Sequence, residues 1–353
     1  MKNFIFLRSL RHAEHTVFCV QDGQKSYYDQ QFGVRCAYSS GQQVKRSILD
    51  AILESLGEAQ APITFNYEIT KDNGLSNKEP WSPCDPTFTD QLLGGWMKAQ
   101  TGETSLKRRS PFSISALRPL HPLLGGLENQ KENLTFDRSN NPNIHPVIVK
   151  DSTGAILTED QIIKFLTENK RTLSRRNWIP ENTRATGLFI FDAVIDLRTL
   201  FCVSTNLHEP ELTLEKIEKL KANNWTTGKN SFGECLVCPK EKREKIIDAV
   251  ASGLINWRIT SNQSRTFSLM ETLAVSISDN ANKLAASIRA ELNEERERSA
   301  KPVIDKNAGT DVFVTLPCNG YIAGAGGEQN ALENAETKLK ELMLAYDYEN
   351  QII

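Results

Sequence analysis

The sequence contains no long apolar run. A helix that spans a membrane needs about 18 consecutive apolar residues, and charged residues interrupt every candidate stretch. The apolar run at 4–7 stops at Arg8, which makes it too short for the apolar core of a signal peptide. We therefore expect a cytoplasmic protein with no membrane partner.

Cysteine is sparse and irregularly spaced. Seven cysteines, an odd number, are scattered over 353 residues, which argues against a disulfide framework and favours a reducing compartment. Cys235 and Cys238 form a single CxxC pair, and no second pair or nearby histidine completes a set of four zinc ligands. The sequence predicts neither a metal site nor a cofactor.

The common enzyme signatures are also absent. The chain contains no GxSxG, no HExxH, no Walker A sequence and no protein-kinase set. The glycines at 324, 326 and 327 lack the spacing of a nucleotide-binding loop. Turnover of a small molecule is not indicated, and no catalytic residue is assigned.

An excess of positive charge is missing as well. Forty-two basic residues against 44 acidic ones leave a net charge of −2, so overall charge does not indicate a nucleic-acid partner. Only a local gathering of cations could do so. With 39% hydrophobic and 24% charged residues, the chain has the composition of a folded globular protein.

The order of local patterns predicts an α+β fold. A β-rich segment at 3–20 is followed by a helical stripe at 41–56, which Ser39 or Ser40 can cap, and then by an alternating strand at 63–69. A second β-rich segment covers 186–203, and a charged amphipathic helix is predicted at 281–298. A ferredoxin-like, RRM-like core with insertions fits this order best.

Proline and glycine mark out the middle of the chain. Eight of the 14 prolines fall between Pro80 and Pro146, and such residues interrupt regular elements. We therefore expect a core in two parts, 1–70 and 186–353, with a loop-rich insertion at 71–185. The second part should carry helical insertions of its own.

The start of the first helix is a candidate anion site. Arg35, Lys45 and Arg46 surround a Ser-Ser-Gly turn, where the free amides of a helix N-terminus favour a phosphate. The alternative is an ordinary capped helix whose lysine extends to solvent.

Further basic residues occur in the insertion. Lys107, Arg108 and Arg109 precede Arg118 and His121 in a proline-rich stretch that could lie along a sugar-phosphate chain, or form a solvated charge run instead. Later in the insertion, Arg175, Arg176 and Trp178 combine charge with an aromatic ring that could stack on a base, or pack in the core.

Three segments, taken in order, resemble the crRNA-binding backbone subunit of class 1 CRISPR complexes, a member of the RAMP superfamily and of its type I, DevR-like branch. YSSGQQVKRSI at 38–48 is similar to that family's serine-containing turn and first helix. NQSRTFSLMETLAVSIS at 262–278 is similar to its later Asn-Gln-x-Arg segment, and GYIAGAGGEQNALENAETKLKEL at 320–342 to its glycine-containing approach to the last helix.

The resemblance implies an RRM-like palm at 1–70 and 186–353, with finger and thumb elements in 71–185. It implies a self-polymerising subunit of a Cascade complex that holds the crRNA spacer for pairing with a target, expected to be DNA. Its partners would be crRNA, further copies of itself and other Cascade subunits. The resemblance implies RNA contacts at Arg35, Ser39, Ser40, Gln42, Lys45, Arg46, Asn262, Gln263 and Arg265, and it assigns the loop with Lys107, Arg108 and Arg109 to a finger or thumb. The local patterns add Arg118, His121, Arg175, Arg176, Trp178, Gly326 and Gly327 to the predicted RNA-binding residues.

Two other hypotheses remain open. In a metal-dependent RAMP endoribonuclease, a carboxylate such as Asp50, Asp192 or Asp196 would support cleavage of target RNA. In a protein-only structural adaptor, no RNA would be bound at all.

Overall fold

The computed structural model describes residues 2–18, 24–99, 104–128, 134–137, 141–144, 146–173, 176–179, 183–259, 269–296, 298–316, 321–322 and 326–351. The chain divides into two compact units, Met1–Glu128 with Ala185–Ile353, and Asn129–Arg184. Within the described ranges, no helix combines the length and apolar character needed to cross a bilayer.

Twenty strands and eight helices are assigned within the described residues. The strands are β1 (Phe4–Thr16), β2 (Ser26–Asp29), β3 (Val34–Ala37), β4 (Thr64–Ile69), β5 (Leu75–Trp81), β6 (Trp96–Lys98), β7 (Leu106–Arg108), β8 (Phe112–Ile114), β9 (Arg118–Pro119), β10 (Gly125–Glu128), β11 (Leu134–Asp137), β12 (Arg176–Ile179), β13 (Arg184–Asp196), β14 (Cys202–Ser204), β15 (Thr226–Asn230), β16 (Gly233–Val237), β17 (Glu271–Ser278), β18 (Ile288–Leu292), β19 (Ala300–Ile304) and β20 (Asp311–Val314). The helices are α1 (Gly41–Leu56), α2 (Thr89–Gly94), α3 (Glu159–Glu168), α4 (Leu197–Leu200), α5 (Leu214–Ala222), α6 (Lys240–Asn256), α7 (Ala281–Ser287) and α8 (Ala331–Leu344).

The larger unit is built on one sheet. Its long strand β1 pairs antiparallel with β13 on one side and with β17 on the other, while β8 and β9 pair antiparallel with the far edge of β13. In chain order these elements are β1, α1, β8/β9, β13, α6 and β17, and in space the strands run β17, β1, β13, β8/β9. This is the βαββαβ arrangement of a ferredoxin-like sheet, with β20 added beside β17. The predicted α+β fold is confirmed.

The helix α1 forms because its apolar residues repeat at helical spacing. Val44, Ile48 and Ile52 are fully buried on one face. As predicted, a serine begins the helix: the Ser40 side chain accepts a hydrogen bond from the Gln43 amide. Gly57 ends it in the left-handed conformation with φ of 64°. The predicted bounds of this helix are confirmed.

The helices α1 and α6 cross closely over one face of the sheet. A Cβ at Gly253 of α6 would lie only 2.5 Å from Cγ1 of Ile52, so the crossing point requires glycine. Beneath α6, the buried Arg11 of β1 donates hydrogen bonds to the carbonyls of Ile255, at 2.6 Å, and Trp257, at 2.8 Å. Burial lowers the pKa of Arg11 to about 9. These bonds satisfy carbonyls at the C-terminal end of α6 and tie the helix to the central strand.

The smaller unit, Asn129–Arg184, contains the antiparallel pair β11–β12 and the helix α3. Thr158 and Gln161 form a capping box at the start of α3. This unit lies within the predicted 71–185 insertion, whose bounds remain a prediction.

One helix prediction is wrong. The stretch 281–298 was expected to be a single charged helix, but α7 ends at Ser287 and the chain continues as β18, which pairs with β19. The β-branched Ile288 begins the strand and is fully buried there. Burial against neighbouring elements outweighs the helical preference of the acidic residues that follow.

Candidate nucleic-acid interface

One edge of the central sheet carries most of the described basic candidates. Along this edge, Phe112 of β8 lies opposite Ile195, and Arg118 of β9 lies opposite Ile190. The two positions on β13 are five residue steps apart, which corresponds to about 17 Å at about 3.3 Å per residue. Arg109 precedes the first position and His121 follows the second. Lys107 and Arg108 lie on the preceding strand β7, which pairs with β6, while β10 also pairs with β13. The segment at 107–121 thus contains β8, β9 and the basic residues that lead into them. We call it the β8–β9 edge, residues 107–121.

Ser39 joins the start of α1 to the β8–β9 edge. The Ser39 amide donates to the Leu117 carbonyl at 3.0 Å, and the Leu117 amide donates back at 3.1 Å. Two basic segments that are about 70 residues apart in sequence thus become neighbours. The Ser39 side chain is buried and donates to the Phe18 carbonyl at 3.0 Å, so its hydroxyl stabilises the turn and is left out of the RNA contacts proposed below.

The first turn of α1 faces the same edge. A Cβ at Gly41 would lie 2.7 Å from the Ile114 carbonyl oxygen, so the helix begins in direct contact with β8. No acidic residue occupies this turn. Gln42 is exposed, and within the described residues neither the Gly41 nor the Gln42 amide has a hydrogen-bond partner. Free amides at the positive end of a helix dipole favour an anion.

Lys45 points toward the end of α2 rather than into open solvent. Its Nζ donates to the Gly94 carbonyl at 3.2 Å. Burial and the nearby charge of Arg108 lower the pKa of Lys45 to about 8. Next to it, Gly95 has φ of 74°, and a Cβ there would lie 2.5 Å from the Arg108 carbonyl. The structure therefore brings Lys45 beside the start of the β8–β9 edge.

Arg108 belongs to the interior. Only 3% of its surface is exposed, and its guanidinium donates to the carbonyls of Arg109, Thr199 and Cys202 at 2.8 to 3.2 Å. Burial lowers its pKa. Because β7 alternates, Arg108 faces inward while Lys107 and Arg109 are exposed on either side of it. Arg108 supports the core and is likewise left out of the proposed RNA contacts.

The exposed cations differ in how far other residues already neutralise them. Lys107 and Arg109 make no ion pair with any described residue. Arg46 pairs with Asp50 one turn along α1, at 3.0 Å. Arg118 donates to Asp192 at 2.7 Å, and Arg8 holds the same carboxylate at 2.7 Å. Lys107 and Arg109 are therefore the cations on this edge with the most charge available to a phosphate.

The hairpin β2–β3 adds an aromatic surface beside the edge. Arg35 is exposed on β3 and donates to the Ser26 hydroxyl at 3.2 Å. Tyr28, directly opposite Arg35, is 60% exposed. His121 packs edge-on against Phe32 with ring centroids 4.6 Å apart, and burial lowers the pKa of His121, which favours its neutral form.

Sequence analysis missed Tyr28. The signal was present in SYYD at 26–29, where two adjacent tyrosines precede Arg35 by the few residues that a β-hairpin turn needs. An exposed aromatic ring beside an arginine is a platform on which a base can stack.

A groove of about 640 Å³ between α1 and α6 contains further candidate residues. Arg46 and Asp50 line it from α1, and Arg258 lines it just beyond α6. Arg258 lies 4.0 Å from Glu54, so each groove arginine faces an acid. The groove is neutral overall, unlike the β8–β9 edge.

The structure describes the remaining predicted residues only in part. Gly326 is open to solvent, and its carbonyl accepts from Lys306 at 2.7 Å, while Gly327 packs directly against the backbone of Thr315 and Leu316. Only the backbone pairing of Arg176 and Trp178 on β12 is described. Outside the described residues lie Arg175, Asn262, Gln263 and Arg265.

The three candidate catalytic carboxylates are engaged in ion pairs. Asp50 pairs with Arg46, and Asp196 pairs with Arg198 at 2.8 Å. For Asp192, burial raises the pKa, but hydrogen bonds and charge from its two arginines outweigh burial and lower it overall. Within the described part of the chain, no group of three metal-ligating side chains comes together.

Comparisons with known proteins give no family assignment. No family model matches the chain, and no curated protein matches it significantly. Among solved structures, one is described as "CRISPR RNA-guided surveillance complex, pre-nicking". It is 11% identical to this chain with a TM-score of 0.44, and the match covers 96% of this chain and 89% of that one. A second, described as a CRISPR RNA-guided surveillance complex, is 10% identical with a TM-score of 0.44, covering 96% and 99%. Similarity at this level assigns no function to the chain.

Proposed function

We propose that this chain is an RNA-binding backbone subunit of a CRISPR surveillance complex of the Cascade type. It would hold the crRNA along the β8–β9 edge and leave the bases free to pair with a target, which we expect to be DNA. It would assemble with further copies of itself and with other Cascade subunits. Guide pairing would carry sequence specificity, and the protein would bind the RNA backbone.

One observation carries the proposal. The Ser39–Leu117 pair and the close approach of Gly41 to Ile114 hold the α1 N-terminus against the β8–β9 edge, the segment that begins with Lys107 and Arg109. Among the described residues, the first two amides of this helix have no partner. Both elements are suited to phosphate: the amides at the positive end of a helix dipole, and the cations because no described acid neutralises them. The order of motifs in the sequence, which resembles the backbone subunits, supports the same conclusion.

The net charge of −2 is compatible with this function because the charges are unevenly placed. Many acids are already used in ion pairs, for instance Glu215 with Lys219 and Glu218 with Lys221 on α5. A local excess of positive charge along one edge is enough to attract a strand when the Debye length is about 10 Å.

The test is to express the chain with a matching CRISPR array, purify it, record absorbance at 260 and 280 nm, and extract bound RNA. We expect a bound RNA of discrete length. A preparation that contains no nucleic acid, and that binds no added single-stranded RNA at low salt, would refute the proposal and favour a protein-only adaptor.

A second version of this experiment addresses the site. The double variant Lys107→Glu, Arg109→Glu should lose most of the bound RNA. The control Lys229→Glu, Lys245→Glu makes the same charge change at two exposed lysines on β15 and α6, outside residues 107–121, and should retain the RNA. Equal RNA content in the two variants would reject the edge as the binding site.

A further inference from the structure

The β4–β5 hairpin exposes an apolar face. Phe65, Tyr67 and Ile69 occupy alternate positions of β4, and Leu75 lies opposite Ile69 on β5. Their exposed fractions are 70%, 59%, 77% and 73%. A two-stranded ribbon buries little by itself, and a monomeric protein rarely leaves such a contiguous apolar patch in water. We call these four residues the ribbon face.

The turn at the end of the ribbon is charged with both signs. Lys71 and Asp72 are exposed between Thr70 and Gly74, where the Thr70 amide donates to the Gly74 carbonyl at 2.8 Å. The ribbon therefore presents an apolar surface that ends in one cation and one anion.

A groove with matching character lies beside α8. Phe4, Leu197 and Leu342 contribute apolar walls to an open volume of about 420 Å³. Two ion pairs border it, Lys2 with Asp279, and Lys338 with Asp311 at 3.2 Å. We call it the α8 groove. It offers apolar contact in the middle and both signs of charge at the rim.

We propose that the ribbon face of one copy of this chain docks in the α8 groove of a second copy. The apolar side chains would leave water together, and Lys71 and Asp72 would meet the acids and lysines of the groove rim. Because the ribbon is exposed, it does not occupy the groove of its own chain. This contact deepens the assembly part of the proposed function by naming the two surfaces, and it can be tested apart from RNA binding.

Two different surfaces meeting in this way form a heterologous contact. After each addition, the line of copies still has one free ribbon face at one end and one free α8 groove at the other. The contact therefore builds a line of copies rather than a closed dimer, unless the line curves into a ring. That geometry gives a sharp test by complementation of two defective variants.

The ribbon variant is Ile69→Ser, Leu75→Ser, which changes two side chains that are already in water. The groove variant is Ala345→Trp, which fills the groove from an exposed position at the end of α8. Burial of Ile69 and Leu75 is worth at least about 3 kcal/mol together, so each variant alone should self-associate about a hundredfold more weakly than the native chain. An equimolar mixture should form one-to-one dimers, because each pair retains one intact ribbon face and one intact groove.

Sedimentation velocity over a range of protein concentrations, with and without nuclease treatment, measures these states. Matched controls are Leu207→Ser, Leu214→Ser and Leu344→Ser, which remove exposed leucines outside both surfaces and should assemble like the native chain. A native chain that stays monomeric under both conditions, variants that assemble normally, or a mixture that does not dimerise would each overturn the proposal. Assembly and complementation without bound RNA would retain the contact and refute only the RNA-binding function.

Discussion

The salt dependence of RNA binding is the most direct quantitative consequence of the β8–β9 edge. Lys107 and Arg109 are exposed and have no ion-pair partner among the described residues, so each can neutralise one phosphate. For a single strand, every phosphate neutralised contributes about −0.7 to the slope of log K against log salt. Replacing both residues by alanine should therefore make the slope shallower by about 1.4. Between 50 and 200 mM salt, the native chain should lose about sevenfold more affinity than the variant.

Fluorescence anisotropy with a labelled single-stranded RNA and nuclease-treated protein measures this slope at four or more salt concentrations. Circular dichroism should show unchanged folding, since both side chains lie at the surface. The control Lys229→Ala, Lys245→Ala removes the same charge elsewhere and should keep the native slope. If the Lys107 and Arg109 variant also keeps it, these residues do not contact phosphates and the site assignment fails.

Three predictions concern stability, each measured by urea unfolding. Asp192→Asn should destabilise the fold by about 2 kcal/mol at pH 7, since it leaves two arginines without their carboxylate. The folded-state pKa of Asp192 is lowered, so the stability difference between the native chain and this variant should persist above about pH 4 and shrink as the pH falls below it. Lys45 has a folded-state pKa of about 8, so above that pH its amine is protonated in the unfolded chain but largely neutral in the folded one. The free energy of unfolding of the native chain should therefore rise from pH 8 to about 10 relative to that of Lys45→Met. Gly253→Ala should lower the free energy of unfolding by about 1 to 3 kcal/mol, because its Cβ would collide with Ile52. Gly326→Ala, whose Cβ meets nothing within 4 Å, should lower it much less. Equal effects of the two substitutions would contradict the account of the helix crossing.

Much of the architecture follows from local pattern. The bounds of α1 were predictable because its stripe of Val44, Ile48 and Ile52, the serine cap and Gly57 all indicate the same helix. The α+β class followed from alternating strand and helix patterns. The run 281–298 failed because acidic residues favour a helix locally, while the burial of Ile288 depends on a partner strand that local pattern does not show.

The candidate site was only partly predictable. Sequence alone determined that basic residues cluster near 35–46 and 107–121 and that a capped helix begins within the first cluster. The tertiary structure decided that these segments meet at Ser39 and Leu117, that Arg108 turns inward to carbonyls of Thr199 and Cys202, and that Lys107 and Arg109 stay in solvent. The physical reason is that a charged side chain can bind a phosphate only if distant parts of the chain leave it exposed and unpaired. Three consecutive basic residues do not reveal which of them will be buried or paired by those distant contacts.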